Sequence, residues 1–352
     1  MIHGGDIYRN KASIDFSVNI NPLGIPERVE KALKEAVTDC GNYPDICAEE
    51  LLQAIGRMTG VEERHILCGN GASELFLAIV HALKPKKTII PVPSFYGYQY
   101  AAEASGGEII FYEMKEKNGF CLRHDFLEVL EEDMDMLFLA NPNNPVGNVV
   151  EDSLLKEIVG RCAEKGIMAV VDECFLEFTG EEERRSLKSH IEEYPNLIIV
   201  RSFTKIFAMP GVRLGYLFCG NPILFKKIER QLPEWNLSVF AQAAGAAACG
   251  ETEYRRKAAE LVGKERRYLA DELEREGIKV FPSEADYLLL YSGLPLYERL
   301  LEQGILIRDC GNFKGMRKGY YRIAVRNHEE NRILAEAVRA IREAAETEGR
   351  RI

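Results

Sequence analysis

The chain has 352 residues, 46% of them hydrophobic and 28% charged, the composition of an ordinary soluble globular protein with about two domains. Its formal charge is −10 with acids and bases interspersed, which argues against nucleic acid as a partner, because a phosphate backbone needs a basic face. No apolar run of about 18 residues is present to cross a membrane, and the start, Met1-Ile2-His3-Gly4-Gly5-Asp6, lacks the basic and apolar stretches of an export signal, so a cytoplasmic protein is expected.

In chain order, residues 26–37 read as a helix with Pro26 in its first turn, preceding the large domain and packing with the small one. A short strand over 66–68 leads into a helix over 73–83, whose apolar stripe is Leu75, Phe76, Ile79, Val80 and Leu83. Strands follow at 88–91, 108–112, 136–140, 167–171, 197–201 and 213–219. Each is a short apolar run bounded by Gly, Pro or Asn, as expected of strands buried on both faces. Between them, 153–165 carries a second apolar stripe through Leu154, Leu155, Ile158, Val159 and Cys162. Strand alternating with helix predicts an α/β domain with a mainly parallel sheet. After about residue 240 the pattern changes to a long helix over 252–276, short strands at 278–281, 287–291, 305–307 and 320–325, and an amphipathic helix over 329–345. That order reads as a smaller α+β domain. The expected division is an arm and helix over 1–43 belonging to the small domain, a large domain over 44–240, and the small domain over 241–352. The nine cysteines are scattered with no C-x-x-C pair, which fits reduced, mostly buried thiols, and no metal-ligand set is read.

Four segments carry candidate chemistry. Gly69-Asn70-Gly71-Ala72-Ser73-Glu74 joins a strand to a helix, and its small residues let backbone N–H groups approach an anion at the helix start. Asn141-Pro142-Asn143-Asn144-Pro145-Val146-Gly147 is a stiff loop directly after a strand, at the sheet edge where ligands of open α/β folds sit. Asp172, in Val170-Val171-Asp172-Glu173, ends an apolar strand, where a carboxylate is costly to bury without a cationic partner. Lys205, in Ser202-Phe203-Thr204-Lys205, sits among Phe203, Ile206 and Phe207, a setting that lowers an amine's pKa; Pro210-Gly211-Val212-Arg213 follows with a guanidinium that can grip a phosphate with two bonds. No G-x-G-x-x-G or G-x-x-x-x-G-K-[ST] motif is present to support a nucleotide-binding reading.

The order and spacing of these segments resemble fold-type I pyridoxal-5′-phosphate (PLP) enzymes of the class I/II aminotransferase family, over nearly the whole chain. The resemblance implies the PLP-dependent transferase fold, with a mainly parallel seven-stranded sheet. It implies a Schiff base on Lys205, Asp172 on the pyridine nitrogen and Asn144 on the phenolic oxygen. It assigns the phosphate to Gly71, Ala72, Ser73, Ser202, Thr204 and Arg213, and ring stacking to Phe95. It gives Tyr43 the phosphate of a neighbouring subunit, hence a homodimer with shared sites.

Two branches of that family compete: L-threonine-O-3-phosphate decarboxylase and histidinol-phosphate aminotransferase. His3-Gly4-Gly5, Asp15-Phe16-Ser17-Val18-Asn19-Ile20-Asn21-Pro22-Leu23-Gly24, and Phe175 in place of a tyrosine all resemble the decarboxylase. By that resemblance Arg322 binds the substrate carboxylate, Arg308 with His3 binds its phosphate, and Leu23, Gly24 and Asn144 complete the substrate site. Arg326 is expected to form a structural ion pair. Asp6 and Asp309 depart from the decarboxylase pattern, and an acid beside a phosphate site must point away or be paired. The expected reaction is decarboxylation of a small phosphoamino acid in cobalamin biosynthesis, with aminotransfer using 2-oxoglutarate as the alternative.

Overall fold

The apolar runs of the middle chain become strands because successive side chains point to opposite faces of a sheet that is covered on both sides. The computed structural model describes residues 4–349. The chain opens with β1 (Ile14–Asp15), α1 (Glu27–Glu35) and α2 (Glu49–Thr59). Then come β2 (Ile66–Gly69), α3 (Ala72–Leu83), β3 (Lys87–Val92), α4 (Tyr96–Ser105) and β4 (Glu108–Glu113). β5 (Met136–Ala140), α5 (Asp152–Lys165), β6 (Met168–Asp172) and α6 (Glu182–Arg185) follow, and then β7 (Leu197–Ser202), α7 (Phe203–Ile206) and β8 (Gly215–Cys219).

These strands form one seven-stranded sheet in the order β2-β8-β7-β6-β5-β3-β4. Only β8 runs antiparallel to its neighbours, so the sheet is mainly parallel, as expected. On β5, Met136, Phe138 and Ala140 pack on one face under α3 and α4, while Leu137 and Leu139 pack on the other with α5. Complete burial of each large side chain contributes about 1.5–3 kcal/mol. The register aligns Ala140 with Asp172, and Asp172 with Val200, so the carboxyl ends of β5, β6 and β7 lie side by side.

The rest of the chain runs through α8 (Pro222–Glu229), α9 (Val239–Cys249), α10 (Thr252–Arg275), β9 (Lys279–Val280), β10 (Tyr287–Tyr291) and α11 (Leu296–Glu302). It finishes with β11 (Ile305–Leu306), β12 (Arg308–Asp309), β13 (Tyr320–Ala324) and α12 (His328–Gly349). The strands β12-β13-β10-β9 form a four-stranded antiparallel sheet. A separate core under it gathers Phe16, Leu269, Leu288, Leu290, Ile323 and Leu334.

Four local expectations change. The strand expected over 305–307 is two strands: β11 pairs with β1 of the arm, and the chain switches sheets at Ile307 so that β12 pairs with β13. The strand expected from 213 starts at Gly215, because Arg213 has φ 61°, a left-handed conformation that interrupts extended backbone. The helix expected over 26–37 ends at Glu35 in a tighter turn over Ala36–Gly41. That helix packs along α9, and its Val29 is buried in the large core with α2, α5 and α9 rather than in the small one. All nine cysteines are free, and six of them are buried.

Candidate active site

A cavity of about 560 Å³ opens where β3, β5, β6 and β7 end. Asp172 closes β6 and faces this cavity at 9% exposure. Its Oδ2 accepts from the Tyr98 hydroxyl at 2.5 Å, and its Oδ1 accepts from the Cys174 backbone N–H at 2.9 Å. Burial pushes the carboxyl pKa up, and these two donors oppose the shift. Such a carboxylate is poised for a cation placed in the cavity, which would favour its charged form.

Lys205 follows from the way β7 ends. Ser202 caps the short helix α7, its Oγ accepting from Thr204 N–H at 3.1 Å and lying 2.7 Å from Thr204 Oγ1. One turn on, Lys205 lines the cavity with its Nζ 6.0 Å from the centre of the Phe175 ring. Nζ makes no hydrogen bond or ion pair among the described residues. Burial lowers the lysine pKa, the Asp286 carboxylate opposes this, and Arg322 reinforces it. The result is an amine whose neutral, nucleophilic form is favoured.

An anion cradle lies alongside. Gly71 precedes α3 at φ 83°, and a Cβ there would sit 2.4 Å from Arg213 Nη2. A Cβ on Gly215 would lie 2.7 Å from the Ala72 nitrogen. Both positions therefore require glycine for the backbone and guanidinium to approach so closely. Ala72 and Ser73 begin α3, whose first N–H groups have no partner within the helix. Ser202, Thr204 and Arg213 complete the wall, Arg213 being steadied by a 3.0 Å bond from Nη1 to the Pro210 carbonyl.

The strands β12 and β13 add Arg308 and Arg322 to the cavity wall. Arg322 donates from Nη1 to Asn144 Oδ1 at 2.5 Å and from Nη2 to the Ser17 carbonyl at 3.0 Å. Because arginine only donates, this bond orients the amide and leaves Asn144 Nδ2 to serve the cavity. Arg308 donates to the Asp309 carbonyl at 2.6 Å and to Asn312 Oδ1 at 2.9 Å, and burial lowers its pKa. Asp309 turns its carboxylate onto the Gly311 N–H at 2.8 Å, so its charge caps a turn beside the arginine.

Phe95 also lines the cavity, packed edge-on against Tyr98 at 5.6 Å, and Phe175 meets Tyr287 edge-on at 5.0 Å. Other expected site residues stand apart. Tyr43 is 80% exposed and packs against Trp235 at 4.9 Å, outside the cavity of its own chain. Leu23 and Gly24 do not line the cavity: Asn21 Oδ1 holds Leu23 N–H in an outward turn, Leu23 is 41% exposed, and the Gly24 carbonyl accepts from Tyr254. His3 lies outside the described residues. Arg326 pairs with Glu330 at 3.0 Å. Three residues lacked a sequence signal strong enough to single them out. Tyr98 bonds Asp172, Lys314 lines the cavity with its Nζ over the Phe111 ring at 4.4 Å, and Asp286 is wholly buried. A basic residue six positions after Arg308 was the one hint of Lys314.

The side chains match the groups of pyridoxal phosphate: a cationic cradle for phosphate, a buried carboxylate to accept from a ring N–H, an amide to donate to a phenolic oxygen and an amine for an aldehyde. The aminotransferase class I and II family model matches residues 11–338. The threonine-phosphate decarboxylase of Salmonella typhimurium is 35% identical over 96% of this chain and 96% of its own length. Among solved structures, histidinol-phosphate aminotransferase from Clostridium acetobutylicum superposes with TM-score 0.88 at 31% identity, covering 94% of this chain and 99% of that one. L-threonine-O-3-phosphate decarboxylase from Porphyromonas gingivalis gives TM-score 0.84 at 26% identity over 94% and 99%.

Proposed function

The chain belongs to the aminotransferase class I and II family, and from that premise we propose that it is a PLP-dependent decarboxylase of L-threonine O-3-phosphate or a related phosphoamino acid. The observation that carries this reading is a single cavity lined by the lysine and carboxylate of a cofactor site and by Arg308, Lys314 and Arg322. A phosphoamino acid offers two anions to those cations, its carboxylate and its phosphate. The product would serve the aminopropanol branch of cobalamin biosynthesis.

When bound, PLP supplies an electron sink for the bonds at the substrate Cα. The residues of the chain then decide which bond is exposed to it. Arg322, fixed by Asn144 and the Ser17 carbonyl, grips the carboxylate, and Arg308 with Lys314 grips the phosphate. Two anchored ends set the rotation about Cα, and so select loss of the carboxylate over loss of hydrogen. Lys205, which lines the cavity, would hold the aldehyde of the cofactor, and its Nζ would carry a proton beside the reacting carbon. Asp172, which accepts from the Tyr98 hydroxyl, would pair with the ring nitrogen and favour its protonated form. Phe175 offers no hydroxyl beside Lys205 Nζ.

Exposed Tyr43 and Trp235 suit a homodimer in which Tyr43 reaches the phosphate of the other subunit's site, in a cytoplasmic enzyme. The aminotransferase reading is favoured by one observation, the higher structural match to the Clostridium aminotransferase. The two readings separate in one assay. Gas release from L-threonine O-3-phosphate without any 2-oxo acid supports the decarboxylase. Turnover of histidinol phosphate that depends on 2-oxoglutarate overturns it.

A further inference from the structure

We propose that Glu116 is a positioning residue: with Arg317 and Lys279 it latches residues 310–319 across the end of the seven-stranded sheet, and so holds Asn312 and Lys314 at the cavity wall. This rests on the reading of Arg308 and Lys314 as the grip on a substrate phosphate. Glu116 opens the turn Glu116–Asn118 that follows β4. Its Oε1 accepts from Lys279 Nζ of β9 at 2.9 Å, and its Oε2 accepts from Arg317 Nη1 at 3.0 Å. One carboxylate beside the large sheet thus takes two cations from the small one and its β12–β13 connection.

An exposed ion pair contributes little when both side chains must be ordered to make it. Here the cations are already seated on rings. Arg317 lies over Tyr291 at 4.9 Å and Tyr320 at 5.2 Å, and Lys279 lies over Phe281 at 4.7 Å. Phe120, two residues past the turn, packs against Phe281 at 5.4 Å and Tyr320 at 5.8 Å. The Tyr320 hydroxyl, Lys279 and Arg317 hold the Glu116 carboxyl down to about 2, so it stays charged at neutral pH.

The latched segment also walls the cavity. Residues 310–319 join β12 to β13 through two short turns, Phe313 N–H to the Cys310 carbonyl and Met316 N–H to the Phe313 carbonyl, each at 3.0 Å. Asn312, Phe313 and Lys314 line the cavity. Asn312 Oδ1 accepts from Arg308, and the Arg308 guanidinium lies over the Phe313 ring at 5.2 Å, so the segment also sets where Arg308 points. Lys314 and Gly315 touch the large sheet by packing: Lys314 Nζ lies over the Phe111 ring, and a Cβ on Gly315 would sit 3.6 Å from the Val92 carbonyl oxygen. Such contacts permit sliding, whereas the charge-assisted bond from Arg317 to Glu116 has a direction. Glu116 itself does not line the cavity and acts through Arg317. Without its charge the phosphate grip loosens, while Arg322, Arg213 and Lys205, which lie outside the segment, keep their places.

The test compares two probes that differ by a phosphate, O-phosphoethanolamine and ethanolamine, titrated into PLP-loaded protein and read by visible absorbance. Wild type should bind the phosphorylated probe more tightly. In Glu116→Gln that advantage should fall about tenfold, with ethanolamine binding and PLP retention unchanged. Arg317→Gln should lose it too, and the double variant should lose no more than Glu116→Gln alone, because the two charges act as one pair. Hydrogen–deuterium exchange reads the segment without any ligand: peptides covering 310–319 should exchange at least about threefold faster in Glu116→Gln. Unchanged exchange there, or an equal loss for both probes, overturns the proposal. If wild-type protein binds the two probes equally, the reading of Arg308 and Lys314 fails instead, and exchange of the segment still decides whether Glu116 latches it.

Discussion

Replacing Glu173 by Gln removes one charge from a network that ties the ends of β6 and β7 together directly behind the cavity. Glu173 is 0% and Arg201 2% exposed at the side chain, and they meet at 2.7 Å. Glu173 Oε2 also accepts from Ser186 Oγ at 2.8 Å, and its Oε1 accepts from Leu187 N–H at 3.0 Å. Arg201 extends to Glu182, which Arg255 shares at 3.2 Å. Gln keeps the shape and an acceptor but leaves a buried guanidinium undercompensated, which costs about 3–5 kcal/mol. For a chain of this length the unfolding entropy is roughly 0.7 kcal/mol per kelvin, so Tm should fall by about 4–7 °C. Calorimetry and urea unfolding of cofactor-free protein measure this. The double variant Glu173→Gln/Arg201→Met removes the stranded cation while Glu182 keeps Arg255, and it should recover most of the loss. A single variant within about 1 °C of wild type, or a double variant that loses the sum of its parts, would refute the picture of a desolvated, mutually dependent pair.

Gly71→Ala forces a Cβ against the Arg213 guanidinium at a positive φ, and should weaken PLP binding at least about tenfold, read by equilibrium titration of the visible absorbance. Arg322→Lys gives up the paired donors to Asn144 and the Ser17 carbonyl; kcat/KM should fall about 10–100-fold while PLP still binds. In cofactor-free protein burial pushes the Asp286 carboxyl up to about 7, above its unfolded value near 4. The folded state therefore binds its proton longer, and stability conferred below about pH 4 is lost as the pH rises to about 7, by up to roughly 4 kcal/mol. Asp286→Asn should flatten that slope in urea melts taken between those pH values, and an unchanged slope contradicts the assignment.

The parts of the site legible in the sequence are those tied to a strand end. Asp172 announces itself because it follows an apolar run that must be buried, and Asn144, Ser202 and Lys205 follow strands in the same way. Tyr98 sits in a helix with other tyrosines, and only the folding of β6 against α4 brings its hydroxyl to Asp172. Asp286 stands in the short polar run Ser283-Glu284-Ala285-Asp286, which gives no sign of burial, yet its side chain is wholly buried. The sheet switch at Ile307 was hidden because one apolar run serves two pairings, and its first partner, β1, is about 290 residues away in sequence. Alanine-rich α9 carried too few large apolar residues to show a stripe, yet α1 and α2 both pack on it. The outward turn at Leu23 and Gly24 depends on Asn21, whose Nδ2 is drawn instead to the Ile206 carbonyl at 2.7 Å.

The central claim is that two anchored anions direct the cavity's lysine and carboxylate towards carboxylate loss. Its most direct measurement follows carboxyl-labelled L-threonine O-3-phosphate with the PLP-loaded protein in deuterated water, with no 2-oxo acid present. The account predicts labelled carbon dioxide and amino alcohol phosphate in equal amounts, with one deuterium at the former Cα. Label retained in the substrate, or carried into a 2-oxo acid, would contradict it.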